Sequence, residues 1–153
     1  MTSDALVIGI GNDFRRDDGV GLAVAAEIAK RRLPGVRVMT ATGEPTALLD
    51  AWTGVPVVVA VDAAMGEGAT PGRIRRWTPG DDDRPAVTSS HSLGLPQTYA
   101  LAQALGRIPK KLVVLTVDIE DAGHGVTLTP AVAGAVSEAV EAVLAELGRD
   151  SLA

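Results

Sequence analysis

The chain contains no cysteine. That excludes a disulfide framework and thiolate metal ligands, and leaves histidine and carboxylates to do any metal chemistry. Aromatic residues are almost as scarce, with two tryptophans, one tyrosine and one phenylalanine in 153 residues. Few bases could find a stacking platform on such a surface. The net charge of −5 argues the same way, because phosphate backbones are held mainly by clustered Lys and Arg. Nucleic acid is therefore not an expected partner. No apolar window reaches membrane-spanning length, and the N-terminal MTSDALVIGI lacks a basic segment ahead of a long apolar core. A cytoplasmic protein without membrane insertion is the expectation.

What the chain does have is ample apolar material, 46% of its residues, enough for the core of one domain of this length. Leu6–Ile10 is a short β-branched run and reads as a buried strand; Val20–Arg32, Ala-rich with basic residues at its end, reads as a helix. Val36–Ala41 and Pro56–Val61 follow as strands, with a short helix over Thr46–Trp52 between them. The valine run at 57–61 is apolar on both faces, as strands of a parallel sheet covered on both sides are. Arg73–Trp77 can form an edge strand whose arginines deter edge-to-edge pairing. Leu93–Leu105 reads as a helix with Ser90 or Ser92 as N-cap and Pro96 in its first turn. Lys111–Val117 is a further strand, and Pro130–Leu147 a long helix with Thr129 as N-cap. The alternation predicts a three-layer α/β/α sandwich, with a mostly parallel sheet of about five strands and room for one antiparallel edge strand. One domain over residues 1–148, with a frayed tail at 149–153, is expected.

The opening loop, GIGNDFRRDDGVG at positions 9–21, looks like a phosphate cradle. It lacks the chemistry of one. The dinucleotide fingerprint needs a third glycine where Phe14 stands, and a P-loop ends in Gly-Lys-Ser/Thr where this one reads Asp17-Asp18-Gly19. Two carboxylates ahead of a helix occupy the place an anionic phosphate would want. One of them could serve as an N-cap or first-turn charge, which leaves the other for chemistry. Asp62 closes the predicted central strand, at the edge where open α/β sheets bind ligands. His91, in SSHSLGL, lies just ahead of a helix. Taken singly, an aspartate at a strand end is a common turn former and a loop histidine is commonly solvated. Together, Asp18, Asp62 and His91 form a two-carboxylate, one-imidazole set able to bind a borderline divalent ion with positions left open.

In order along nearly the whole chain, the GIGN loop running into DDGVG, the VDA at 61–63, the SHSLGL segment and the LTPAV at 128–132 resemble the hydrogenase maturation proteases. The resemblance implies an endopeptidase that removes a C-terminal extension from the precursor of the nickel-iron hydrogenase large subunit. It also implies that the nickel is supplied by the precursor, with no metal held tightly by the free enzyme, and that Asp18, Asp62 and His91 contact it. Either the metal activates a water, or it positions the chain while Asp17, Asp18 or Asp62 acts as an aspartyl general base. A monomer is expected. Two departures stand out: some relatives carry Glu at the position of Asp18, and a DGGTAG segment is replaced by Thr40–Pro45, where Glu44 is the only carboxylate. Arg15 and Arg16 read as a solvated face or as a dock for an acidic or C-terminal segment, Trp52 and Trp77 as packing residues, and His124 has no assigned role. A non-catalytic chaperone or metal-recognition module for the same large subunit is the alternative, and a nucleotide-binding protein, motivated by Gly9 and Gly11, a more distant one.

Overall fold

The computed structural model describes residues 4–11, 19–42, 44–65, 69–78, 88–89, 94–119 and 128–148. Ten elements follow in chain order: β1 (Ala5–Ile10), α1 (Val20–Lys30), β2 (Val36–Ala41), α2 (Pro45–Trp52), β3 (Val57–Met65), β4 (Ile74–Trp77), β5 (Thr88–Ser89), α3 (Gly94–Leu105), β6 (Lys111–Asp118) and α4 (Pro130–Glu146). The strands lie in the order β2-β1-β3-β6-β4, with the short β5 paired to β3 off that path. Pairings among β2, β1, β3 and β6 are parallel, and β4 runs antiparallel to β6. The sheet is thus mostly parallel, with the antiparallel edge strand that the arginine-rich segment suggested.

Side chains alternate across each strand, and the two apolar faces are covered by different helices. Val7, Val59, Val61, Val113, Leu115 and Val117 pack with Val20, Val24 and Ile28 of α1 and with Val132, Ala139 and Val143 of α4. Leu6, Ile8, Ile10, Val58, Ala60, Leu112 and Val114 pack with Leu48, Leu49 and Trp52 of α2 and with Ala102 of α3. These are the three layers. Trp52 is fully buried and Trp77 packs against the same layer, as packing residues should.

Several local expectations need correction. β3 does not end at Val61: it continues to Met65, because Asp62, Ala63 and Ala64 stay in register with Thr116, Val117 and Asp118 of β6. The N-cap of α1 is Gly19, with no side-chain cap and no acid in the first turn, so neither Asp17 nor Asp18 is that cap. Thr129 is the N-cap of α4, with Pro130 in its first turn, yet its hydroxyl makes no capping bond. The arginines of β4 do more than guard an edge. Arg75 pairs with Asp118 and Arg76 with Glu146 of α4. β5 carries no signal in the sequence, since two residues are too few to show a period. Ser90, Ser92 and the tail from 149 lie outside the described residues.

Candidate active site

β1 and β3 pair only as far as Gly9 and Val61. Asp62 is the first residue of β3 beyond that ladder, on the central strand, at the carboxyl edge of β1. Its side chain shares the face of Val58 and Ala60, toward the α2 and α3 layer, and is fully buried. Asp62 Oδ1 accepts the N–H of Ala63 at 2.8 Å.

Two chain segments are brought against this point. The amino end of α1 reaches it from one side: a Cβ on Gly21 would stand 2.4 Å from the carbonyl oxygen of Val61 and 2.5 Å from that of Ile10. Only glycine permits so close an approach of helix to strand. Gly9, one of the two glycines that gave the opening loop its nucleotide-binding look, serves the same helix-to-sheet contact, since a Cβ there would stand 2.3 Å from the Gly21 carbonyl oxygen. Along the edge of β3 that β1 leaves open beyond Val61, and that β6 does not occupy, comes β5, whose Ser89 pairs with Ala64, two residues past Asp62.

Asp17 and Asp18 precede Gly19 in the chain, and His91 follows Ser89 by two residues. All three lie outside the described residues, as do Arg15, Arg16 and His124. Asp62 is the one member of the expected set that the structure describes, and among the described residues no three His, Asp or Glu side chains gather into a metal site. Glu44 is occupied elsewhere. As N-cap of α2 its carboxylate accepts the N–H groups of Ala47 at 2.9 Å and Thr46 at 3.1 Å, and these bonds hold its pKa below the usual carboxylate value.

Beside Asp62 lies a polar row that sequence reasoning missed. Thr116 of β6 is its register partner, and Arg75 of β4 is in turn the partner of Thr116. One residue pair further along, the fully buried Asp118 receives Arg75 Nε at 3.1 Å, Arg75 Nη2 at 3.1 Å and the Thr70 N–H at 3.0 Å. The available signal was the repeat of Val-Asp at 61–62 and 117–118, two parallel strands reaching the same edge with the same pair. Chemically, the edge offers one buried carboxylate in reach of two incoming segments, next to a carboxylate already neutralised by arginine. The described surface grooves, of about 300 Å³ each, lie at the opposite edge of the sheet, around Pro56 and Gly106–Lys110 and around Lys111 and Tyr99.

The fold and this edge define an α/β protein with a candidate site beyond the carboxyl ends of its central strands. Residues 22–146 match the family described as hydrogenase maturation protease, and the chain belongs to that family. It is 32% identical over 152 residues to the hydrogenase expression/formation protein HupD of Rhodobacter capsulatus, covering 93% of this chain and 70% of the relative. With the hydrogenase 2 maturation protease of Escherichia coli K12 it shares 28% over 148 residues, 93% of this chain and 89% of that one. The solved structure of the hydrogenase maturating endopeptidase HybD from E. coli superimposes with a TM-score of 0.80 at 25% identity, over 97% of this chain and 93% of the other. The chain is accordingly a hydrolase, a peptidase of hydrogenase maturation. Among the described residues no helix is long and apolar enough to cross a membrane.

Proposed function

We propose that this peptidase removes the C-terminal extension of a nickel-iron hydrogenase large-subunit precursor after nickel insertion, and that it recognises the nickel the precursor carries. The observation that carries the reading is the meeting of Gly21 with Val61 and of Ser89 with Ala64. These contacts bring the chain that follows Asp18 and the chain that precedes His91 close to Asp62 along β3, one at Val61 and the other at Ala64. Asp18, Asp62 and His91 then contact the substrate's metal, and Asp17, Asp18 or Asp62 serves as general base for the attacking water. Two carboxylates and one imidazole without a thiolate make an open, exchangeable site, which suits a metal arriving with its own cysteine ligands. The enzyme acts as a cytoplasmic monomer on a protein partner.

The test is incubation of the purified protein with nickel-loaded precursor, followed by intact-mass measurement. Loss of a C-terminal fragment from the loaded precursor, and none from precursor prepared without nickel, is the expected result. Binding without any mass loss would instead identify a chaperone for the loaded subunit.

A further inference from the structure

Thr116 is a buried polar residue that the site as so far described does not use. It is 3% exposed, and among the described residues its Oγ1 has no hydrogen-bond partner. Buried hydroxyls without partners are uncommon and call for an explanation. Valine has nearly the same shape and would fill this strand position with no such penalty, so packing alone does not account for the hydroxyl.

Its neighbours on the same face decide what for. Along the strand stand Val114, which is apolar, and Asp118, whose carboxylate already accepts from Arg75 and the Thr70 N–H. Across the β4 side stands Arg75, which directs Nε and Nη2 to Asp118. Across the β3 side stands Asp62, in register with Thr116. Strands are about 4.8 Å apart, so in-register side chains on one face lie side by side, and a change of rotamer is enough to join a hydroxyl to a neighbouring carboxylate.

We infer that Thr116 is a positioning residue for Asp62. Its O–H donates to the Asp62 carboxylate when that carboxylate turns to engage the substrate, and so fixes the oxygen that faces the substrate. Partners of this kind orient ligating carboxylates and are worth roughly 10–100-fold when removed. The inference rests on the proposed substrate-facing role of Asp62.

The test compares Thr116→Val and Thr116→Ser in cleavage kinetics with nickel-loaded precursor, alongside thermal unfolding. The valine variant is expected to lose about tenfold or more in kcat, with KM little changed and a melting temperature equal to or above that of the parent. The serine variant keeps the hydroxyl and is expected to recover most of the rate. Parental kinetics in the valine variant would overturn the inference and leave the proposed function standing. Equal losses in both variants with a lowered melting temperature would overturn it too, as the mark of a packing role. If the parent protein leaves the loaded precursor uncut, the proposed function falls and the inference falls with it.

Discussion

Gly9 and Gly21 meet backbone to backbone: a Cβ on Gly9 would lie 2.3 Å from the carbonyl oxygen of Gly21. No side-chain rotation relieves such a clash, because the obstacle is main chain. Gly9→Ala and Gly21→Ala are each expected to destabilise by roughly 3 kcal/mol, the upper part of the range for overpacked cores. Gly134 is exposed in the middle of α4, and a Cβ there would meet nothing within 4 Å. Gly134→Ala should stabilise by about 0.5–1 kcal/mol. Urea denaturation of the three variants checks all of this, and a destabilised Gly134→Ala or a neutral Gly21→Ala would refute it.

Arg75 and Asp118 form the second test. Asp118 is fully buried while the Arg75 side chain is 18% exposed, so Asp118→Ala removes the carboxylate that accepts from Arg75 and from the Thr70 N–H in a largely dry environment. A loss of about 3–5 kcal/mol is expected. Arg75→Met with Asp118→Leu should recover part of it, since replacing both members of a buried pair by apolar side chains removes the desolvation cost along with the bond. A double variant no more stable than Asp118→Ala alone would contradict this account of the pair.

Glu44 gives a pH dependence whose sign follows from its cap. The Ala47 and Thr46 N–H groups stabilise the charged carboxylate and lower its folded-state pKa. Stability from the cap is therefore fully present above the unfolded value, about 4.3, and is lost as pH falls through the lowered folded value. Glu44→Ala should melt below the parent near pH 7, and the gap should close as acidification protonates the carboxylate. A gap independent of pH would mean the carboxylate's charge is not what caps α2.

Most of the architecture was legible because its signals are local. The valine run of β3, the alternation in β4 and the Thr-Pro start of α4 each announce an element within a few residues. The extension of β3 past Asp62 was not legible, because it depends on Thr116–Asp118 lying alongside, a pairing between positions far apart in the chain. The polar row shows the same limit. Thr116 reads as one β-branched residue in an apolar run, and only the register with Asp62 and Arg75 makes it stand out. Glu44 stands in the sequence only as the one carboxylate of Thr40–Pro45, and it took the short helix after it to show what its oxygens bind. Of the candidate trio, the sequence supplied the residue types and their order, whereas the approach of α1 and β5 to Asp62 required the sheet.

Asp18→Asn, Asp62→Asn and His91→Ala are each expected to abolish or severely reduce processing, with far-ultraviolet circular dichroism unchanged. The sequence puts Asp62 at the close of its strand, whereas the structure has it fully buried inside β3. The asparagine change remains a fair test, because an amide oxygen can still accept the Ala63 N–H while the charge is removed. Unfolding of Asp62→Asn would make its role structural and take the centre out of the trio.

The last prediction concerns where the metal comes from. If the precursor supplies it, the isolated enzyme should hold far less than one nickel per chain by elemental analysis. Treating the enzyme with a chelator and then removing the chelator should leave later processing intact. Precursor prepared without nickel should stay uncut even with enzyme in excess. The physical reason is the donor set: with no cysteine in the chain, two carboxylates and an imidazole lack the fourth ligand and the thiolates of a closed structural site. Such a set exchanges its metal readily. A stoichiometric, tightly held ion whose removal permanently ended activity would point instead to a metallopeptidase with a catalytic metal of its own, and the substrate's nickel would then lose its part in recognition.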